Sequence, residues 1–330
     1  MDDPGLPRAV RGPRMLAVFL AALLAVTSGT LGAQAVERPS LTPGDWWTYA
    51  SNTTLLDGFW LAGRVTFRVE SPAVREVLGA SVPVFVVSVD GSGRTTGTFP
   101  SNVTPIPITG EWRLSGEQWL ERGELKVIAR ILDLSGNGTL HMDPFLQTFN
   151  FRFQNTTKYR ILDDGWRFPI DVGDEGQVTT RFNATEDLSY RWGVFRNTTR
   201  STGEANQTLS YRAEGSTNVT TSAGIFASVR TRETWPDGSF DLLYYSSAVG
   251  NNARTETYNA TGTLVVSTEL LSYRYQALEP PGFLGLTLVQ WAIVVPVVAG
   301  TLAALVYIRR RRRRSAIPPI AGEPGPPFPP

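Results

Sequence analysis

The stretch RVTFRVE, Arg64 to Glu70, alternates without a break. Val65, Phe67 and Val69 fall on one side of an extended chain, and Arg64, Thr66, Arg68 and Glu70 on the other. A period of two residues is the signature of a strand with one dry face and one wet face. The same rule holds on both sides of it. Asp45–Tyr49 opens with paired aromatics, and Val82–Asp90 reads VPVFVVSVD. Phe149, Phe151 and Phe153 alternate with Asn150, Arg152 and Gln154. Thr208–Ala213, Ile225–Arg232, Arg254–Tyr258 and Leu264–Tyr275 continue the pattern. Helical periodicity is poor; only Ser115–Leu134 has room for a helical turn, and its Val127, Ala129, Ile131 spacing suits a strand as well. The fold class read from this is mostly β: antiparallel sheets arranged as a sandwich or an open half-barrel.

Asp90-Gly91, Asn137-Gly138 and Pro236-Asp237-Gly238 lie between strand-like runs and read as hairpin turns, with Asn137 at an exposed tip. Val84–Thr98 and Phe226–Tyr245 both read as strand, Asp-Gly turn, strand. Gly44-Asp45-Trp46 and Asp163-Asp164-Gly165-Trp166 open the two regions. A division into similar halves, 36–160 and 161–280, is therefore a further expectation.

The ends of the chain carry different signals. Arg8, Arg11 and Arg14 precede the apolar run Leu16–Val26, and Ala33 and Ala35 stand at the spacing of a small-residue cleavage site. Residues 1–35 thus read as a secretory signal. Residues 283–308 form a 26-residue run without a charged side chain, followed by Arg309, Arg310, Arg311, Arg312, Arg313 and Arg314. As a helix it reaches ~39 Å, enough to span a ~30 Å hydrocarbon core. The arginines stay on the cytoplasmic side and face anionic lipid headgroups. The expected layout is a β-rich extracellular domain over 36–280, one transmembrane helix over 283–308, and a basic, Pro-rich cytoplasmic tail over 309–330. The bilayer is the first partner this implies, and the location is the cell membrane with a single pass.

Nine of the twelve asparagines begin Asn-x-Thr: Asn52, Asn102, Asn137, Asn155, Asn183, Asn197, Asn206, Asn218 and Asn259. All nine lie between the cleavage site and the apolar run. They read as N-glycan acceptors on an exported surface. The chain has no cysteine, which removes disulfides, thiolate nucleophiles and zinc-thiolate sites. Residues 36–280 hold 27 acidic and 22 basic residues, without a basic stripe, so no nucleic-acid partner is read.

No catalytic spacing is present. His141 stands between Leu140 and Met142 as an ordinary strand or loop imidazole. A tethered hydrolase built on two carboxylates needs only acids that converge in space, which no spacing reveals. Asp163, Asp164, Asp171, Asp174 and Glu175 cluster among glycines, but without calcium-loop spacing. No metal or cofactor is therefore expected. Eight tryptophans in the outer segment supply core filling, or an aromatic face for an apolar ligand or a glycan. The function expected is a structural or binding role in the envelope, toward an extracellular ligand or envelope partner of unknown identity; the second reading is a tethered carrier or sensor.

Pro281-Gly282-Phe283, followed by the apolar run and the arginines, resembles the PGF C-terminal sorting signal of archaeal surface glycoproteins. In that family a membrane peptidase, archaeosortase, cuts near the tripeptide and a lipid replaces the helix. The resemblance implies a glycosylated, anchored surface protein. It covers Pro281 to Arg314, and here sixteen residues follow the arginines where the family's signal normally stops. The strand pattern also resembles the half-barrels of bacterial lipoprotein carriers, whose apolar concavity holds acyl chains.

Overall fold

Twelve strands follow one another around a single ring in the computed structural model, which describes residues 37–56, 58–99, 105–142 and 144–276. They are β1 (Trp46–Leu56), β2 (Phe59–Val77), β3 (Ala80–Phe99), β4 (Ile106–Glu121), β5 (Val127–Met142) and β6 (Phe145–Asp164). Then come β7 (Glu175–Trp192), β8 (Phe195–Thr221), β9 (Gly224–Thr234), β10 (Phe240–Ser246), β11 (Asn251–Tyr258) and β12 (Leu264–Arg274). Each strand pairs antiparallel with the next, and β12 returns to β1, so the sheet is a closed barrel. This corrects the sandwich and the open half-barrel. Full closure leaves a ring with no terminal strand to protect.

Alternation explains which face turns inward. Val65, Phe67 and Val69 are buried, as are Phe149, Phe151 and Phe153. Phe59 meets Phe151 edge to face, with centroids 5.5 Å apart. The ring is fastened where its ends meet. The Asp45 carboxylate accepts hydrogen bonds from the Thr42 N–H (2.8 Å) and the Gln276 N–H (2.9 Å), tying the entry of β1 to the exit of β12.

Two turn expectations fail. Asp90-Gly91 lies inside β3 and Asn137-Gly138 inside β5; Pro236-Asp237-Gly238 does turn between β9 and β10. The glycines in β3 serve close approach instead. A Cβ on Gly91 would stand 3.2 Å from the Trp112 ring, and one on Gly93 would stand 2.1 Å from the Ala62 carbonyl oxygen. Glycine in a strand interior marks such bends and close contacts. Trp112 lies over this strip and donates to the Ala62 and Arg94 carbonyls, both at 3.2 Å.

The expected halves fail with them. Val84–Thr98 lies within one strand, whereas Phe226–Tyr245 is a hairpin, and residue 160 falls within β6, which pairs with β7 from Phe149 to Asp164. The described residues form one compact unit. Ser115–Leu134 is strand, turn and strand.

A second, smaller core sits on the outer face. Beyond a bulge between Val69 and Pro72, the β2–β3 hairpin buries Val77, Val84 and Val86 with Trp119, Ile128 and Ala129. Arg75 and Lys158 cover the Trp119 ring at 5.5 and 5.9 Å. Among the described residues no helix is long and apolar enough to cross a membrane, which says nothing about strands. The expected signal, the apolar run, the six arginines and Asn102 lie outside the described residues.

Candidate functional site

Unequal strand lengths produce the main cavity. β8 is 27 residues long and β9 is 11. β8 pairs with β7 from Phe195 to Arg212, but with β9 only from Ser210 to Thr221. Along residues 195–209 the wall therefore has no β9 partner. Behind that opening is a cavity of about 600 Å³. This lies in the size range of small-molecule sites. Its apolar walls include Ile161, Trp166, Phe168, Val178, Phe182 and Leu209, and the β9–β10 turn with Trp235 borders it.

Trp166 gives the cavity a fixed wall. The segment after β6 turns inward and buries Trp166 and Ile170 in the main core. The Trp166 ring lies 4.5 Å from that of Tyr211, whose hydroxyl donates to the Gly165 carbonyl at 2.7 Å. Lys126 donates to the Trp166 carbonyl at 3.0 Å and pairs with Asp164. The acidic cluster seen in the sequence is thus turn structure: Asp164 also accepts from the Trp166 N–H, and Asp174 accepts from the Asp171 N–H. Among the described residues no three His, Cys, Asp or Glu side chains are placed to hold a metal ion.

Charged groups stand at inward positions of this apolar chamber. Arg130 on β5 is 3% exposed, and its guanidinium stacks 5.7 Å from the Tyr159 ring centroid. Gln118, directly opposite on β4, is also buried. Glu233 on β9 and Asp241 on β10 are direct cross-strand partners. Asp241 is 0% exposed; one carboxylate oxygen accepts from the Thr257 hydroxyl and the other from the Trp235 indole N–H at 2.9 Å. Burial, aided by the adjacent Asp241 charge, pushes Glu233 up to about 8. Burial pushes Asp241 up to about 6 against the pull of its two donors and Arg130. Like charges face to face cannot both ionise freely. Glu233 is half-buried and lines the cavity. The cavity wall adds a polar chain: Thr157 donates to Asn155, and Asn155 to Glu186, each at 2.9 Å. Burial raises Glu186 as well.

The structure places the sequence-predicted residues unevenly. Asn52, Asn137, Asn183, Asn197, Asn206 and Asn218 are exposed, and Asn259 is half-buried in a turn. Asn155 is a correction: it is 4% exposed and points inward, where a glycan has no room on the folded barrel. Asn137 is exposed in the middle of β5, away from any tip. His141 is exposed, lies 3.1 Å from the Thr109 hydroxyl and is not among the cavity-lining residues. Of the tryptophans, Trp166 and Trp235 reach the cavity, and Trp47 and Trp112 fill the core. Sequence reasoning missed Arg130, Glu233 and Asp241. Their signal was a charged residue in phase with an apolar face: Arg130 with Leu132 and Leu134, Asp241 with Leu243 and Tyr245.

No protein-family model matches the chain, and no curated protein matches it. Two solved structures are similar to it. One, from Bacteroides fragilis, is described as an exported protein with YmcC-like fold; it is 14% identical, covering 73% of this chain and 100% of that one at a TM-score of 0.30. The other, from Parabacteroides distasonis, is described as a lipoprotein; it is 12% identical, covering 71% and 96% at a TM-score of 0.26. Both likenesses are too loose to transfer a property.

Proposed function

We propose that this chain is a glycosylated cell-envelope protein, anchored by a single membrane helix, whose barrel binds an apolar small molecule. The cavity carries this reading. It joins a wall of aliphatic and aromatic side chains to a few converging polar groups, the usual makeup of a ligand site. The leader, the sequons and the apolar run with its arginines support the placement. Within the Glu233–Asp241 pair, both Asp241 oxygens are occupied and none of its surface is exposed, so Glu233 is the member of the pair that a ligand meets.

A series of straight-chain alcohols tests the cavity. Titrated calorimetrically into the full chain in lipid nanodiscs, with empty nanodiscs as reference, affinity should rise about fourfold per added methylene until the chamber is full, the equivalent of ~0.8 kcal/mol each. Ala184→Trp, which fills the lining beside Phe182, should remove binding with little change in melting temperature. No chain-length dependence, or full binding by Ala184→Trp, would reject the reading.

Glycopeptide mapping of the native protein tests the surface. Sugar is expected at the exposed Asn52, Asn137, Asn183, Asn197, Asn206 and Asn218, and none at Asn155. Sugar-free peptides throughout would remove the glycoprotein part of the proposal.

A further inference from the structure

The charges around the cavity do not balance. Glu124, Glu186, Glu233 and Asp237 line it, with Asp241 behind Glu233. Lys126 and Arg130 are the basic residues among the lining residues, and Lys126 is already paired with Asp164. At the inner end, one guanidinium therefore faces two carboxyl groups. Arg130 is attracted by both Glu233 and Asp241. An anionic ligand would have to compete with Asp241 and Glu233 for that one guanidinium. A cationic group does the reverse: it completes the pairing that the cross-strand acids lack.

The positions of the two acids decide which one meets a ligand. Asp241 is closed off by Trp235 and Thr257. Glu233 lines the cavity itself. The surrounding groups are those that suit an ammonium. Tyr159 and Trp235 border the same space, and aromatic faces attract cations, most strongly where water is excluded. Ile161, Phe168, Val178, Phe182 and Leu209 leave the rest of the chamber for an apolar chain.

We infer that the ligand is a cationic amphiphile, one apolar chain ending in an amine or quaternary ammonium, with its head group at Glu233. This rests on the cavity-binding reading above. It also gives the buried acid a purpose. Without a cation Glu233 holds its proton near neutrality, because burial and Asp241 both disfavour the carboxylate. Arrival of the head group stabilises the ionised form, and the proton leaves to solvent. Binding and proton release are then linked, and affinity for a permanent cation rises with pH until Glu233 is ionised by itself.

Three probes of equal chain length separate the outcomes: octyltrimethylammonium, octanol and octanoate, titrated into the full chain in nanodiscs at about pH 6 and about pH 8.5. The expected result is octyltrimethylammonium about tenfold tighter than octanol at the higher pH, with a smaller margin at the lower, and octanoate weakest at both. Glu233→Gln should abolish the preference for the cation, bringing octyltrimethylammonium down to the affinity that octanol has for the same variant. Octanoate binding tightest would overturn the inference and leave the cavity reading standing. So would a cation preference that Glu233→Gln does not change. Failure of all three probes would sink both.

Discussion

Replacing Trp47 by alanine should lower the melting temperature of the barrel by about 10–25 °C, the largest loss expected from any single truncation on the inner face. Trp47 is 0% exposed at the start of β1. Its indole N–H donates to the Val249 carbonyl at 2.6 Å, joining the first strand to the turn between β10 and β11. Its ring packs 6.1 Å from that of Tyr275, just past the last strand. The side chain thus bridges the two ends of the chain at the seam where the ring closes. Truncation of a buried tryptophan costs ~3–5 kcal/mol through lost transfer energy and the cavity left behind. The Val249 carbonyl is left without that donor, which adds ~1–3 kcal/mol. Both terms are large beside a total stability of ~5–15 kcal/mol. Trp46→Ala is the control. Trp46 is the neighbour on the other face and is half-buried, so its loss should move the melting point by a few degrees only. Circular dichroism on heating reads both. Equal shifts in the two variants would mean that the inner face has been assigned wrongly.

The strands were legible because each carries its own evidence. In Arg64–Glu70 the alternation alone states which side chains are dry, and the burial of Val65, Phe67 and Val69 follows. Closure had no such local mark. It depends on β1 meeting β12, for example Tyr49 opposite Leu270, across more than two hundred residues. No periodicity encodes that pairing. The misread turns have a similar cause. Asp-Gly and Asn-Gly suit a two-residue hairpin, but glycine is equally the residue that lets two backbones touch. Gly93 under Ala62 is the second case, and only the neighbouring strand distinguishes them.

The site was half legible. Arg130 stands on the same phase as Leu132 and Leu134, so a charge on an inner face could have been read from β5 alone. The spacing of Val127, Ala129 and Ile131 pointed to the opposite face, which packs partly into the small outer core under Trp119. The convergence of Arg130 with Glu233 and Asp241 could not be read, since it joins strands from distant parts of the ring. The chamber itself is a difference in strand lengths. Where β9 stops pairing at Ser210, fifteen residues of β8 continue without it, and empty space has no sequence pattern.

Those buried acids give the protein an inverted pH profile: stability should fall as pH rises from about 5 to about 8. The usual soluble protein loses stability on the acid side, where paired carboxylates take up protons. Here Glu233 is raised to about 8 and Asp241 to about 6, with Glu186 raised as well. An acid whose pKa is higher in the folded state binds its proton more tightly there than in the unfolded chain. Between the unfolded and the folded pKa the native state holds a proton that the unfolded state has released. Each such group then costs about 1.4 kcal/mol of stability per pH unit across its window. For Asp241 the window closes near 6, and for Glu233 near 8. The groups facing Glu233 come from several strands: Asp241 from β10, Arg130 from β5 and Tyr211, its direct partner, from β8. Two other groups bound the effect. Asp133, held down by Arg152, restores ordinary acid sensitivity at low pH. Lys126, lowered to about 8 by burial, releases its proton earlier in the folded state, so it favours stability as pH rises beyond that point. Unfolding free energies from denaturant titrations at intervals from about pH 5 to about pH 8 should decline by a few kcal/mol in all, and the midpoints with them. Glu233→Gln keeps the shape of the neutral acid and removes its titration, so it should flatten the upper half of that decline. At about pH 8 it should be more stable than the natural chain, and at about pH 5 nearly equal to it. A natural chain whose midpoint stays level or rises across this range, or a Glu233→Gln variant with an unchanged slope, would show that the paired acids of β9 and β10 do not carry the proton assigned to them.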